Sequence, residues 1–493
     1  MQKPSKTLEI ISTGIRGLDR ILLGGYPRGA LILLAGNPGT GKSTMAAKFL
    51  YEGGLAGEKG IYVNFVEPKK DFLVHMAMLG MDFTELEEKG LFEYIEALTI
   101  VDEDALVAQL EDILRRIVET GAKRLVIDSV TAMLQIVKDK AKIRELVQNF
   151  FVNGVKQMDV TTILIAEHPY GAKMVGYGIE EFIVDAVMIL RFEIVQGKIR
   201  RILELRKARW APIRQAEIPF YIRPGIVVEL SLPEAPQEVP ALDLSSRYNL
   251  AKALLDLNKA ARGELLGNNT CRLHVGEEGV YVIPRGAQIV VGHTPTLDAK
   301  HLISLLTAAL LVSYKPRIAL FSFKSSPIAL RRLIGCLLSI GCGRECTNEL
   351  LSNVYVESVN PTAFTFTEIY DIMRQFVEAV KPDILFVEGM DIIEQFVQRN
   401  EYLEMLYNLM LSNKRERVTS FYTFSARDAE AIYNRMAASM ADVMIYVEEP
   451  HTIMGEAASI KQSYIVEFAG FFGRVERKIS LNVELLYKHR CIS

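Results

Sequence analysis

The sequence has little net charge and few cysteines, and both shortages limit what kind of protein it encodes. Its 493 residues carry a formal net charge of −3, without the basic excess that is usual in proteins that coat nucleic acid. The odd number and irregular spacing of the cysteines match no zinc-ligand pattern. They instead predict ordinary thiols in a reducing, cytoplasmic compartment. The five cysteines stand at positions 271, 336, 342, 346 and 491.

The chain also lacks any apolar run long enough to cross a bilayer. Met1 to Lys6 are followed by Thr-Leu-Glu rather than by an apolar segment, so no signal peptide is expected. Hydrophobic residues make up 49% and charged residues 24% of the chain, as in ordinary globular proteins. We therefore expect a cytoplasmic protein with two large domains, since one hydrophobic core rarely serves so long a chain.

Short apolar runs alternate with helical patterns through the first half of the sequence. Between the runs, Asp104 to Thr120 carries apolar residues at the spacing of an amphipathic helix. Such alternation predicts an α/β fold, with a central, mostly parallel sheet flanked by helices. The runs with the length and composition of buried strands are 30–35, 60–66, 124–128 and 161–166.

A proline-rich segment separates the two halves of the chain. Residues 232–240 contain three prolines, a composition that is typical of connections between domains. The chain is therefore expected to consist of a first domain at 1–231, this linker, and a second domain at 241–493.

The second half repeats short segments of the first half in the same order. Pro27–Ala30 resembles Pro284–Ala287, and the run beginning at Asp185 resembles the run beginning at Asp442. The number of residues between the two copies is the same in both cases. Chance likeness between two parallel sheets is the alternative, but the shared order favours an internal duplication.

Residues 36–43 fit the phosphate-binding pattern G-x-x-x-x-G-K-[ST] in full. The segment follows a predicted strand and precedes a helical pattern, which is the context that a P-loop needs. Glycines allow the backbone to curl so that several N–H groups point at phosphate oxygens. The following helix directs its positive end to the same place. The predicted nucleotide-binding residues are Asn37, Pro38, Gly39, Thr40, Gly41, Lys42, Ser43 and Thr44.

Three side chains complete the predicted site, for which ATP and Mg²⁺ are the expected cofactors. Lys42 supplies a mobile positive charge to the β- and γ-phosphates and is a catalytic candidate. The Ser43 hydroxyl is a suitable oxygen ligand for Mg²⁺. Asp128 ends a predicted strand and can hold the same ion; capping a helix is the alternative, which the upstream P-loop makes less favourable.

Residues 13–44 carry a longer pattern, T-G-I-x-G-L-D…G-G-x-P-x-G…G-x-P-G-T-G-K-[ST]. This pattern resembles the opening of the KaiC-like domains of the RecA/RadA superfamily. The resemblance continues through 176–185 and ends near Val228. It implies two tandem RecA-like P-loop domains with a degenerate second copy. It also implies a homo-oligomer, such as a hexameric ring, with each ATP between subunits.

The resemblance assigns a catalytic part to Glu67. Its strand ends beside the γ-phosphate in a RecA-like sheet, where a carboxylate can orient the attacking water. KaiC-like domains end this strand with Phe-Glu-Glu, whereas this chain has Phe65-Val66-Glu67. The resemblance therefore implies slow hydrolysis. A solvated loop acid beside Lys69 and Lys70 is the alternative for Glu67.

The resemblance also assigns two cations that act on a neighbouring subunit. Lys207 and Arg209 match the K-x-R of the family's late strand, which implies that they stabilise charge on the transferring phosphoryl group in trans. The family residues Gly-Thr-x-His that usually follow are replaced by Trp210–Ile213. An exposed basic strand edge is the alternative for the two cations.

The second domain has lost the residues of the phosphate site. Aligned with one gap, Asp298 stands in place of the P-loop lysine, Ala299 in place of the serine, and Glu388 in place of the metal-binding aspartate. A carboxylate at a phosphate position repels the ligand. The second domain is therefore expected to bind a partner or stabilise the ring rather than hydrolyse ATP.

Three functions remain open at this point. The first is an oligomeric, Mg²⁺-dependent ATPase that acts as a regulator or motor on an unknown partner protein. The second is a nucleotide-gated assembly or signalling module with little hydrolysis. The third is a DNA recombination or repair protein. Its candidate basic residues alternate with acids, which favours a solvated mixed-charge surface. Those basic residues are Arg115, Arg116, Lys138, Lys140, Lys142 and Arg144.

Overall fold

The computed structural model of the chain divides into two compact units, Met1–Leu232 and Pro233–Ser493. This boundary lies within the segment 232–240, for which a linker is predicted. The residues that the structure describes are 9–97, 102–137, 139–168, 183–195, 197–225, 227–233, 239–250, 252–254, 256–257, 260, 282–341, 343–396, 399–433, 435–448, 452–454, 460–469 and 478–485.

Unit 1 consists of strands and helices that alternate as the apolar pattern predicts. Its strands are β1 (Ile10–Ile11), β2 (Tyr26–Pro27), β3 (Leu31–Gly36), β4 (Gly60–Asn64), β5 (Phe92–Glu96), β6 (Arg124–Asp128), β7 (Thr161–Glu167), β8 (Ala186–Val195), β9 (Lys198–Ala208), β10 (Glu217–Arg223) and β11 (Val227–Leu230). Its α-helices are α1 (Leu18–Ile21), α2 (Lys42–Leu55), α3 (Lys69–Met78), α4 (Phe83–Glu88), α5 (Glu103–Thr120), α6 (Val130–Gln135) and α7 (Lys140–Val147).

The main sheet of unit 1 has the strand order β11-β10-β9-β8-β3-β7-β6-β4-β5. The strands from β8 to β5 are parallel, and β9 to β11 extend the sheet in antiparallel fashion. All six residues of β3 are buried, as expected of a central strand covered on both faces. The carboxyl ends of β3, β6, β7 and β4 therefore lie along one edge, which is where ligands bind in open α/β sheets.

Helix α5 illustrates how local sequence sets these elements. Asp102 accepts a hydrogen bond from the Ala105 N–H at its start, which satisfies one of the free donors of the first turn. Leu106, Leu110, Ile113 and Ile117 form its buried stripe and belong to the apolar core on one face of the sheet. A second core, which includes residues of α2, covers the other face.

Unit 2 contains a second set of strands and helices. Its strands are β12 (Asp243–Asn249), β13 (Val282–Arg285), β14 (Gln288–His293), β15 (Ile318–Ser322), β16 (Val354–Ser358), β17 (Ile384–Glu388), β18 (Thr419–Ser425), β19 (Val443–Glu448), β20 (Thr452–Met454), β21 (Ile460–Ala469) and β22 (Lys478–Leu485). Its α-helices are α8 (Ala299–Tyr314), α9 (Pro327–Gly341), α10 (Arg344–Leu351), α11 (Phe366–Val380), α12 (Met390–Phe396), α13 (Arg399–Arg415), α14 (Ala429–Tyr433) and α15 (Met436–Met440).

The two units share one topology, which confirms the predicted duplication. The order β16-β15-β17-β18-β14-β19 in unit 2 corresponds to β5-β4-β6-β7-β3-β8 in unit 1, and all these pairs are parallel. The first strand of each core is also held in the same way. Asp185 accepts the Leu31 N–H at 3.0 Å, and Asp442 accepts the Gln288 N–H at 2.8 Å.

The prediction of unpaired thiols is wrong for two of the cysteines. Cys336 in α9 and Cys346 in α10 are disulfide-bonded. Sequence spacing did not reveal this bond, because it depends on how the two consecutive helices pack against each other, which the spacing of cysteines does not specify. Cys271, Cys342 and Cys491 lie outside the described residues. The cytoplasmic location stays a prediction. Among the helices that the structure describes, none has the length and apolar character needed to cross a membrane.

Candidate functional site

The loop between β3 and α2 has the backbone shape that the motif predicts. Gly39 and Gly41 have φ values of +76° and +101°, which side-chain-bearing residues rarely adopt. A Cβ on Gly41 would also lie 2.3 Å from Cδ1 of Ile222 in β10. Thr40 donates its hydroxyl to the Asn37 carbonyl oxygen at 2.8 Å, which closes the loop on itself.

Lys42 begins α2 and turns its side chain back into this loop. Its ammonium donates to the carbonyl oxygens of Gly36 and Asn37, each at 2.9 Å. Burial lowers the pKa of Lys42, although the nearby carboxylates of Asp128 and Glu167 oppose that shift. A positive charge is thus held beside a curled run of amides at a helix N-terminus, which is an arrangement suited to phosphate.

The structure joins Ser43 and Asp128, which are distant in the sequence. The Ser43 hydroxyl donates to Asp128 Oδ2 at 2.7 Å. Burial raises the pKa of Asp128, and hydrogen bonds from Tyr62 and Ser43 and the charge of Lys42 oppose that rise. A hydroxyl and a carboxylate oxygen are hard ligands of the kind that Mg²⁺ prefers. The residues present therefore fit the predicted metal.

Sequence reasoning missed Tyr62 as part of this group. Its hydroxyl donates to the same Asp128 Oδ2 at 2.7 Å, and its side chain is fully buried on β4. β4 lies directly beside β6 and places Tyr62 within reach of the carboxylate. In the sequence, Tyr62 stands between Ile61 and Val63 like an ordinary aromatic core residue, so strand order is needed to identify its role.

Glu67 lies in the loop after β4, and its position is set by three contacts. Asn64 Oδ1 accepts the N–H groups of Val66 and Glu67 at 2.9 and 3.0 Å. Tyr94 on β5 donates its hydroxyl to the Glu67 carbonyl oxygen at 2.7 Å. The Glu67 carboxylate contacts Nδ1 of His75 on α3 at 2.8 Å. Tyr94 and His75 are two further residues near the site that the sequence did not predict.

The structure does not bring Lys207 and Arg209 to the P-loop of their own chain. Lys207 donates to the Val184 carbonyl oxygen at 2.7 Å, and Arg209 pairs with Asp185 at 3.3 Å. Asp185 binds the first residue of β3, whereas the P-loop follows the last. The two ends of β3 are separated by about 17 Å of extended strand. These cations therefore lie at the far edge of the sheet from the phosphate loop.

The corresponding loop of unit 2 corrects the alignment of its residues. β14 begins and ends, and α8 begins, 257 residues after the matching points of β3 and α2, so the two loops align without a gap. Ala299 thus stands opposite Lys42, and Asp298 opposite a glycine, so placing Asp298 at the lysine position is wrong by one residue. The sequence alignment had matched Gly292 with the first glycine of the motif, Gly36, whereas Gly292 corresponds to Ala35 in the structure. Gly292 is needed for another reason, since a Cβ on it would lie 2.3 Å from Ile432 Cγ1.

Unit 2 carries a carboxylate, Asp298, in the loop that corresponds to the P-loop of unit 1. Asp298 caps α8 through the Lys300 N–H and pairs with the ammonium groups of Lys300 at 2.9 Å and Lys324 at 3.5 Å. Burial alone would raise the pKa of Asp298, but the hydrogen bonds from Lys300 and the charges of both lysines lower it. The ionised carboxylate therefore satisfies this helix end without a ligand.

Replacing Asp298 with alanine is expected to lower the free energy of unfolding by about 1 kcal/mol, the usual cost of losing a helix N-cap. Denaturant unfolding of the full chain measures this loss. ATP binding should not change, since the substitution lies outside unit 1. A gain of a second ATP site in this variant would contradict our interpretation that Ala299 and the surrounding loop have lost phosphate binding.

The residues of unit 2 that correspond to Asp128 and Glu67 also differ from those of unit 1. Glu388 takes the place of Asp128 and is buried, where it accepts hydroxyl hydrogen bonds from Ser322 at 2.6 Å and Ser325 at 3.0 Å. Ser322 accepts the N–H groups of Lys324 and Ser325, as Asn64 does in unit 1. Ser325 therefore takes the place of Glu67, and no carboxylate stands there.

Comparisons with known proteins agree with this division between the units. A family model described as "ATPase: KaiC" matches residues 11–232. KaiC3, a circadian clock protein of Synechocystis sp., is 34% identical over 235 residues, which cover 45% of this chain and 46% of that protein. A UPF0273 protein of Pyrococcus furiosus is 32% identical over 234 residues, which cover 44% of this chain and 93% of that protein.

A longer match extends through both units. The circadian clock oscillator protein KaiC of Prochlorococcus marinus is 24% identical over 477 residues, which cover 93% of this chain and 87% of that protein. The chain thus spans about half the length of KaiC3 and nearly all of the UPF0273 protein. It also spans most of the Prochlorococcus marinus KaiC, but at a lower identity than in the other two matches. The residues that the family model matches coincide with the unit that contains the P-loop.

Proposed function

The chain belongs to the KaiC family of ATPases, and on this basis we propose that unit 1 binds ATP with Mg²⁺ and hydrolyses it slowly. We place each nucleotide between two subunits of a homo-oligomeric ring, such as a hexamer, which regulates or drives a partner protein. One observation carries the proposal: Lys42, Ser43 and Asp128 meet at the carboxyl edge of the sheet in unit 1.

Binding follows from the charges at this edge. Lys42 exchanges its two carbonyl acceptors for phosphate oxygens, and the amides of the curled loop donate to the same groups. Ser43 and Asp128 are the residues that would hold Mg²⁺. When bound, this ion neutralises negative charge on the phosphate oxygens.

Hydrolysis needs a base and further positive charge. Glu67 orients the attacking water and accepts its proton. Lys207 and Arg209 of the neighbouring subunit stabilise charge on the transferring phosphoryl group. Their position at the far edge of the sheet supports action in trans, because they are too distant to serve the P-loop of their own chain.

The alternative is a nucleotide-gated assembly module with little turnover. The contact of Glu67 with His75 favours it, since a carboxylate held by a histidine is less free to orient water. Residue 66 is an exposed valine rather than the family's first glutamate. Measured phosphate release decides between the two functions.

A DNA-binding function has weaker support. Arg116 contacts Asp112 and Glu93, Arg115 contacts Asp112, and Lys142 pairs with Glu103. Such pairing reduces the positive charge available to a phosphate backbone. The sequence also offers the loop 170–176 as a segment that could contact DNA, but this loop and Lys138 lie outside the described residues, as do the side chains of Lys140 and Arg144.

The trans arrangement predicts that two inactive variants restore activity when mixed. Glu67→Gln subunits keep their cations, and Arg209→Ala subunits keep their base. Mixed rings should therefore release phosphate at about a quarter of the wild-type rate, because random assembly places the complementary neighbours together at about one interface in four. Phosphate release and particle size are measured after dissociation and reassembly with MgATP.

The control mixes Glu67→Gln with the double variant Glu67→Gln/Arg209→Ala, in which no subunit carries the base. This mixture should stay inactive. Failure of the first mixture to recover activity, in rings shown to contain both variants, would reject catalysis across the subunit interface while leaving ATP binding intact.

A further inference from the structure

Two tyrosines lie side by side beneath the predicted catalytic edge of unit 1. Tyr62 on β4 and Tyr94 on β5 are directly paired in the parallel sheet. Their rings are stacked, with centroids 5.6 Å apart and planes 9° apart. Phe72 of α3 packs on both rings, at 4.6 Å from Tyr62 and 4.9 Å from Tyr94. All three side chains are buried, so packing restricts the rings.

The hydroxyls of this stacked pair serve two different parts of the site. Tyr62 donates to Asp128 Oδ2 at 2.7 Å, and Tyr94 donates to the Glu67 carbonyl oxygen at 2.7 Å. A tyrosine hydroxyl ordinarily titrates at about pH 10, so both hydroxyls keep their protons and act as donors at neutral pH. One rigid aromatic unit thus touches both the predicted metal carboxylate and the loop of the predicted base.

We propose that Tyr62 and Tyr94 are paired positioning residues: Tyr62 sets the Asp128 carboxylate for Mg²⁺, and Tyr94 sets the Glu67 loop for attack by water. This inference rests on the proposed ATPase function and names the residues that organise its site. The two hydroxyls act on separate steps, so their loss has separate consequences.

Tyr62 matters because the Asp128 carboxylate has few other supports. Tyr62 and Ser43 both donate to Oδ2, and within the described part of the chain no group donates to Oδ1. The Ser43 side chain is short, and its hydroxyl rotates freely. Tyr62 holds its hydroxyl in place through a buried ring, so it fixes the orientation of the carboxylate. Partners behind a metal ligand commonly have this effect.

Tyr94 matters because its hydroxyl donates a hydrogen bond to the backbone carbonyl oxygen of Glu67. Asn64 fixes the amide side of the same residue, so the peptide groups on both sides of the Glu67 Cα are tied down. Loss of the Tyr94 hydroxyl leaves that carbonyl without its donor and allows the loop to turn. The Glu67 carboxylate is then held less firmly relative to the phosphate, which slows the chemical step.

Tyr62→Phe and Tyr94→Phe test the proposal, since each removes one hydroxyl and keeps the ring. We measure ATP binding as a function of Mg²⁺ concentration, together with kcat at saturating Mg²⁺. Tyr62→Phe should raise the Mg²⁺ concentration for half-maximal binding about tenfold and leave kcat nearly unchanged. Tyr94→Phe should leave the Mg²⁺ dependence unchanged and lower kcat about tenfold.

Tyr51→Phe is the matched control, because that ring also packs in unit 1, against Phe83 at 5.4 Å. It should behave as wild type in both measurements. Thermal unfolding gives a second readout: the melting temperature of each variant is measured with ATP, in the presence and in the absence of Mg²⁺. The Mg²⁺-induced rise in melting temperature should shrink only in Tyr62→Phe.

The outcomes separate this inference from the proposed function. If wild type shows Mg²⁺-dependent ATP binding and turnover, but both variants match it or share one uniform loss, the positioning roles are wrong and the ATPase stands. If wild type itself binds no ATP, the proposed function is overturned and this inference with it.

Discussion

Replacing Lys42 with alanine is expected to weaken ATP binding by a factor on the order of 100 or more, since a charge-assisted contact to phosphate is lost inside a partly desolvated loop. The Lys42 ammonium is already directed into the loop by two carbonyl acceptors. Calorimetric titration with MgATP should find about one site per chain in wild type, and none at the same concentrations in the variant.

Lys300→Ala is the matched control, because Lys300 lies in the first turn of α8 as Ser43 does in α2. Its ammonium pairs with Asp298 rather than with an open loop. The control should bind ATP as wild type does. If Lys42→Ala kept its affinity, or Lys300→Ala lost it, the nucleotide would belong to unit 2 and the assignment to unit 1 would fail.

Replacing Glu67 with glutamine is expected to lower the rate of phosphate release about 100- to 1000-fold, the range typical of a lost general base. ATP affinity should stay within a factor of about three, because the amide keeps the size of the side chain and Glu67 is not among the phosphate-binding residues. Pre-steady-state phosphate release and equilibrium nucleotide binding together measure the two effects.

Glu96→Gln provides the comparison for this experiment. Glu96 ends β5 beside Asn64 and accepts the Lys69 N–H at 2.7 Å, a bond that glutamine can also accept. Turnover should therefore be close to that of wild type. Equal phosphate release from wild type and Glu67→Gln would instead favour the nucleotide-gated module, in which ATP sets assembly and hydrolysis is incidental.

The P-loop was predictable because its information is local. Eight consecutive residues specify the glycine conformations, the lysine and the hydroxyl, and the strand and helix on either side follow from apolar spacing. Asp128 was predictable for a similar reason, since it directly follows an apolar strand. The α/β class and the duplication could also be predicted, because periodicity and repeated segments survive without any knowledge of contacts.

Other parts of the site were not predictable because they depend on which strands lie side by side. Tyr62 reaches Asp128 only because β4 pairs with β6, although the two residues are far apart in the chain. Tyr94 and His75 reach Glu67 from β5 and α3. Nothing in the local sequence around these residues distinguishes them from ordinary aromatic core and surface positions.

By itself, the sequence determined that this chain carries one complete P-loop motif in an α/β unit and a degenerate copy of that unit after it, since backbone conformation and charge at the motif are encoded in adjacent residues. Only the tertiary structure decided which side chains surround the loop, where Lys207 and Arg209 lie, and how the two copies align residue by residue. These depend on strand order and register, which arise from packing across the whole sheet rather than from neighbouring residues.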